Sequence, residues 1–365
     1  VSPPASADNN LVLLSEPSHR GLDGVFLNDE LATALQPEAR LGNLVYASPK
    51  SGRSWIIDIA LVDEVIAMSN GYEVAKPLDK TKKNPKRETL PGVGDSVAKA
   101  WLAALKTSVR RDLISVLPYG SPSATWLKDA APNELKFYQS QSLSRGTEFF
   151  GRSVASVDTY PGQPKANIPR GVQVSYTLAR KRIFALANVL PQETLLSYRL
   201  GIASLTNPEL NRSDSLELAA TYSPQSAAFE NKLRLIVGKY RVTSEREKIP
   251  VTLVNDFDVV LKIKLVVTPL NGKVIATSLP DLALAPNSKL QVAIPIRVMA
   301  SGSTILLTQI KSEKGVLLKE PVQLPLTLSV ISPITTWFTT GSAIILLLAG
   351  VVQSVRRIKR KRVQL

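Results

Sequence analysis

Three carboxylates, Asp58, Asp63 and Glu64, stand close together where the apolar run Ser54–Ala60 passes into a helical pattern. Two carboxylates can cleave a glycosidic bond, one as acid and the other as base or nucleophile. Asp58 and Asp63 are therefore the candidate catalytic residues. Asp58 lies near the C-terminal end of its strand, the side on which α/β folds assemble their sites. The structural alternative is that Asp58 caps the following helix while Asp63 and Glu64 face water. Tyr119, Ser121 and Trp126 form a second candidate group, around the turn-rich segment Pro118–Pro122. Tyr119 can stack on a sugar ring or pack beside Pro118 and Trp126. A third group, Lys82, Lys83, Lys86 and Arg87, sits in the polar stretch Lys76–Gly94, which reads as a solvated loop or as a contact for an anionic partner.

Composition removes several chemistries. The chain has 365 residues with no cysteine and one histidine, His19. Disulfides, thiol nucleophiles, iron–sulfur clusters and cysteine-bound zinc are excluded, and His-rich metal sites have little to build with. No metal site and no cofactor are expected. The formal net charge is +15, of which six positive residues lie in Arg356–Arg362, leaving the remainder basic by about nine. For a domain outside the cytoplasm nucleic acid is an improbable partner, and anionic wall polymers or lipid headgroups are better ones.

The charge pattern sets the expected topology. No charged residue occurs between Glu320 and Arg356, and Ile334–Val352 is dominated by apolar residues. About 20 apolar residues cross a bilayer as a helix. Trp337 and Phe338 near one edge, and Arg356, Arg357, Lys359 and Arg360 beyond the other, have the types that anchor a span and hold its tail in the cytoplasm. Ala5-Ser6-Ala7 fits the small-x-small pattern of an export cleavage site. The expectation is a single-pass protein of the cell membrane, its N-terminal domains outside and its C-terminal tail in the cytoplasm, with the lipid bilayer as one partner.

Leu11–Leu14, Ser54–Ala60 and Asp112–Leu117 read as strands. Helical patterns follow Asn28, Leu61 and Asp95, and recur in Ser123–Ala130 and Asn133–Ser142. Ser153–Asp158, Val172–Leu178 and Ile183–Leu190 are further strand-like or apolar runs. Alternation of strands and helices predicts an α/β layer with a mainly parallel sheet, in reduced or open barrel form. From Leu233 the pattern changes to short strands separated by turns such as Asn271-Gly272, which predicts an immunoglobulin-like β-sandwich. The expected organisation is a signal remnant and linker at 1–10, an α/β domain at 11–230, the sandwich at 231–330, a transmembrane helix at 331–355 and a basic tail at 356–365.

Three segments carry a resemblance: Trp55–Val74 (WIIDIALVDEVIAMSNGYEV), Val116–Leu127 (VLPYGSPSATWL) and Tyr240–Asp256 (YRVTSEREKIPVTLVND), followed by sandwich, span and basic tail. Together they resemble an actinobacterial family of exported single-pass proteins of unknown function, commonly encoded beside the lipid II flippase of the MurJ (MviN) type. The resemblance implies an α/β region similar to polysaccharide deacetylases or glycoside hydrolases, joined to immunoglobulin-like modules. Members often carry Pro after the first acidic residue, where Ile59 follows Asp58 here, and acidic residues where Ser121 and Ser123 stand. Two carboxylates are thus missing from the corresponding edge, and one histidine cannot supply a two-histidine metal site. The preferred functional expectation is a membrane-anchored extracytoplasmic protein with a non-catalytic binding or accessory role in cell-wall biogenesis. Its candidate partners are a wall glycan or a wall-synthesis membrane protein such as the flippase. The alternative is a hydrolase of an envelope glycan using Asp58 and a second carboxylate.

Overall fold

A four-stranded parallel sheet organises the first part of the chain. The computed structural model describes residues 10–47, 52–76, 88–329 and 341–353, and the chain divides into two compact units, Val1–Asn231 and Lys232–Leu365. In chain order the first unit contains β1 (Leu11–Leu14), α1 (Glu30–Ala34), α2 (Arg40–Tyr46), β2 (Ser54–Ile57), α3 (Ile59–Ser69), β3 (Glu73–Ala75) and β4 (Thr89–Pro91). It continues with α4 (Asp95–Ser108), β5 (Leu113–Val116), α5 (Ala124–Ala130), α6 (Pro132–Phe150), β6 (Ala155–Ser156), α7 (Arg170–Leu186), α8 (Gln192–Gly201), a 3-10 turn (Ile202–Thr206) and α9 (Arg212–Glu230).

The sheet order is β1-β2-β5-β6, all parallel. Alternate residues along each strand point to opposite faces. Leu14, Trp55, Ile57, Ile114 and Val116 therefore meet the apolar sides of α1 to α4, where Leu31, Leu41, Val65, Met68, Trp101 and Leu105 are fully buried with them. The Trp101 indole also donates to the Leu41 carbonyl at 3.1 Å, so this large ring leaves no unpaired donor in the core. The opposite face holds a smaller cluster of Ile56, Leu117 and Tyr160.

The barrel-like deacetylase or hydrolase architecture expected for this region is not what forms. Four strands in an open row leave β1 and β6 as free edges, whereas a barrel closes its edges on each other. The missing strands are helices. Val172–Leu178 and Ile183–Leu186 belong to α7, whose buried residues Val172, Tyr176, Ala179, Ile183 and Leu186 recur every three or four positions. That spacing gives one apolar stripe on a helix, and α7 packs it against α9 and the 3-10 turn. Local apolar density reads as strand, and the longer period decides for helix.

The second unit is a β-sandwich. It contains β7 (Leu233–Ile236), β8 (Tyr240–Val242), β9 (Arg246–Asn255), β10 (Leu261–Pro269), β11 (Val274–Ala276), β12 (Leu279–Leu284), β13 (Ser288–Val298), β14 (Gly302–Ser312) and β15 (Val322–Leu328). One sheet has the order β12-β10-β14-β15-β8 and the other β11-β13-β9-β7. Burial alternates with period two: Ile263, Leu265, Val267, Leu306 and Ile310 in one sheet, Ile249, Val251, Leu253, Ile294 and Ile296 in the other. Two strands carry weak sequence signals. The three residues of β8 pair parallel with β15, and β12 is an edge strand broken by a register shift, with Asp281 at φ 56°.

The expected transmembrane helix is also corrected. Among the described residues no helix is long and apolar enough to cross a membrane. Residues 341–353 are helical. The rest of 331–355 lies outside the described residues, as do Trp337, Phe338, Arg356, Arg357, Lys359 and Arg360.

Truncating the central ring of the first core tests this packing. Trp101→Ala should cost about 3–5 kcal/mol, read as a fall in the denaturant midpoint for the first unit.

Candidate functional site

The chain builds its candidate site where β2 and β5 end. Asp58 follows β2 in extended backbone and caps α3, accepting the Ala60 N–H at 2.9 Å. The acidic position is the N-cap because a side-chain oxygen there satisfies one of the helix's unpaired first-turn donors. Its carboxylate reaches across to the loop after β5, taking the Gly120 N–H and the Ser121 hydroxyl, each at 3.0 Å. That loop turns through left-handed backbone at Gly120 (φ 76°) and Ser121 (φ 46°). A Cβ at position 120 would also stand 3.1 Å from the Ser204 nitrogen, so both conformation and space call for glycine there. Ser121 has no such freedom, and its hydrogen bond to Asp58 helps hold a conformation that costs a non-glycine residue energy.

Asp58 is 1% exposed. Burial pushes its carboxyl up from 3.8 to about 7; the three hydrogen bonds oppose the rise and neighbouring Glu64 adds to it. Behind it Ser15 donates to Glu209 at 3.1 Å and lies 3.4 Å from the Ser121 hydroxyl, and Tyr160 donates to Glu209 as well.

In front of Asp58 lies a cleft of about 480 Å³. Its wall includes Asp63 and Glu64 from α3, Tyr119 and Gly120 from the β5 loop, Arg20 from the loop after β1, and Arg145 from α6. Asp63 accepts the Tyr119 hydroxyl at 3.0 Å and an Arg145 N–H at 2.6 Å. Burial raises the Asp63 carboxyl, and the Arg145 guanidinium works against the rise. Burial also pushes the Tyr119 phenol well above its ordinary value, with the Asp63 charge adding to it, so Tyr119 stays a neutral donor. Glu64 accepts the Ser18 hydroxyl and the His19 N–H, the latter at 3.1 Å, and burial raises its carboxyl too. The His19 ring sits between Asn28, 2.9 Å from Nδ1, and Glu16, 3.5 Å from Nε2.

The structure thus brings four sequence candidates together: Asp63 and Tyr119 in the cleft wall, Asp58 and Ser121 buried behind it. Trp126 is elsewhere, packed edge-to-face on Tyr176 with ring centroids 5.4 Å apart. Lys82, Lys83, Lys86 and Arg87 lie outside the described residues. Arg20, Arg145 and Tyr198 join the cleft without having been singled out from sequence. Arg145 is 82 positions from Asp63, so no local spacing connects them. Among the described residues no group of three or more His, Asp or Glu could hold a metal ion.

A family of unknown function, DUF6049, matches residues 178–362, half of the chain. The chain belongs to this family. No curated protein matches it. Among solved structures it is similar to an Escherichia coli alpha-2-macroglobulin fragment running from domain MG7 to the C-terminus. That match has 16% identity and TM-score 0.22, over 26% of this chain and 16% of that one. Another is WR4, a C. elegans MSP family member, at 7% identity and TM-score 0.21, over 27% and 97%. A third is an ASH/PapD-like domain of human CEP192, at 12% identity and TM-score 0.22, over 27% and 85%. Each concerns about a quarter of this chain, and the chain spans about a sixth of the macroglobulin fragment.

The Asp58 clasp has a pH signature. The folded chain binds this proton more tightly than the unfolded one, so Asp58's contribution to stability is full below about pH 4 and is lost as pH rises to about 7. Asp58→Asn keeps the acceptor for the backbone donors and should flatten stability across that window in pH-dependent denaturation. Asp58→Ala leaves buried donors unpaired and should cost about 2–3 kcal/mol, with the loss largest at low pH, where the Asp58 proton is fully bound, and smaller as pH rises to about 7.

Proposed function

We propose that this protein binds a ligand in the cleft without turning it over, as an extracytoplasmic accessory protein of cell-wall biogenesis. The observation that carries the reading is the state of the three carboxylates. Asp58 is sealed behind the wall with three donors from its own chain. Asp63 is engaged by Arg145 and Tyr119, and Glu64 by Ser18 and His19. A nucleophile or base must reach the reacting atom within hydrogen-bond distance, and these groups instead fix the shape of the cleft. Tyr119 and Tyr198 beside charged and hydroxyl groups give the lining the mixed aromatic and polar character that suits a sugar.

The setting of this reading is the outer side of the cell membrane. It draws on the small-x-small motif Ala5-Ser6-Ala7, the basic segment Arg356–Arg362 and the resemblance to an actinobacterial envelope family encoded beside the lipid II flippase. A wall glycan is the ligand this reading favours, and the flippase is the candidate protein partner. The competing reading, a glycan hydrolase, has one observation in its favour: burial raises the carboxyls of Asp63 and Glu64, as a general acid requires.

Co-sedimentation of the purified protein with peptidoglycan separates the two. Retention without release of soluble sugar is expected, and Arg145→Ala, which removes the cation holding Asp63, should weaken retention about tenfold. Release of soluble fragments, abolished by Asp63→Asn, would establish the hydrolase instead. If glycan is neither retained nor cut, a photo-crosslinker at position 119 in cells should capture the flippase; capture of neither removes this reading.

A further inference from the structure

The sandwich carries an unpaired cationic surface outside the cleft. Between Lys232 and Leu328 the chain has 14 Lys and Arg against seven Asp and Glu. Three of these cations share one face of one sheet. β10 and β14 are adjacent interior strands, and their register sets Lys264 directly opposite Lys311. Both side chains are on the outer face, since neighbours Ile263, Leu265 and Ile310 are buried within the sandwich. Opposed residues bring their Cβ atoms to about 5 Å. Lys262 lies two positions along β10 on the same face, about 7 Å further on.

Like charges opposed across a ladder destabilise a sheet, and proteins usually place an acid beside them. Glu313 follows the end of β14 and Asp281 stands in the irregular part of β12. Neither forms an ion pair with these lysines, and no other carboxylate among the described residues does so. On the opposite sheet the corresponding tension is relieved: Arg297, opposed to Arg246, is paired with Glu245 at 3.2 Å. Beyond the lysines the outer face continues through Val266, Gln309, Thr268 and Leu307 and carries no charge along those positions. It is a broad ledge, positive at one end and neutral along its length.

We infer that this ledge is a docking surface for an extended phosphate-bearing polyanion. A lysine ammonium is a compact point charge that suits phosphate without demanding planar geometry. Three of them on one sheet face, two along β10 and one across on β14, can contact successive charges of one chain without a narrow pocket. The surface is separate from the cleft, so a glycan-binding reading of the cleft can fail without affecting it.

The test measures binding of the full chain to long-chain inorganic polyphosphate across a salt series. Lys262→Gln, Lys264→Gln and Lys311→Gln combined should weaken binding about tenfold or more and reduce the dependence of log affinity on log salt by about two to three. The control, Lys248→Gln with Lys289→Gln on the other sheet, should change little. Circular dichroism and melting verify that both variants fold, and the triple variant should melt no lower than the parent at low salt because the opposed charges are gone. Equal loss in both variants would reduce the effect to bulk charge and overturn the proposal. So would unchanged polyphosphate binding in the triple variant, including the case where that variant instead loses binding to anionic phospholipid vesicles, which would assign the ledge to a membrane surface.

Discussion

Asp58 is a buried carboxylate that ties the start of α3 to the loop after β5. It caps α3, takes the Gly120 amide and holds the Ser121 hydroxyl, so the ends of β2 and β5 share one acceptor. Burying a carboxylate is costly unless its lone pairs are filled, and here the filling is done by groups with needs of their own. The first-turn amide of α3 lacks a helical partner, and the Gly120–Ser121 turn needs support in its left-handed conformation. Each of the three donors is satisfied by the group whose burial it offsets.

The cleft follows from that clasp. With the β5 loop pinned at Gly120, Tyr119 is directed to Asp63, and Arg145 completes a triad of hydroxyl, carboxylate and guanidinium in the wall. Glu64, the next residue on α3, is occupied by the Ser18–His19 loop. The carboxylates of the polar wall are therefore each engaged by donors of their own chain. The second unit solves a different problem, since a cysteine-free sandwich must be held by its core alone. It does so with long central strands whose inward side chains largely alternate with outward ones, and it leaves its charge on the outer faces, where the Lys264–Lys311 opposition is tolerated.

The sequence was informative wherever a local pattern has one physical solution. Ser54–Ile57 followed by an acidic residue and an apolar helical run requires a strand, a cap and a helix, and that is how Asp58 is used. Asp63 could be marked as a polar group on the helix that follows β2, and Tyr119 as one in the turn-rich segment after β5. Their partnership could not, because 56 residues separate them and nothing in either segment refers to the other. The α7 segment shows the opposite limit: Val172–Leu178 has strand-like composition, and only the full stripe to Leu186 reveals the helical period.

What the sequence by itself determined is the chemistry available: no thiol, one histidine, a basic excess, and carboxylates at Asp58, Asp63 and Glu64. It also determined the change in period near Leu233, because alternation of apolar and polar residues is a property of neighbouring positions. Only the tertiary structure decided that the parallel sheet stays open at four strands, that Asp58 is sealed from the cleft, and that Arg20 and Arg145 line it. Those outcomes depend on which distant segments bury their surfaces against each other, and burial is a property of the whole packed chain rather than of any stretch within it.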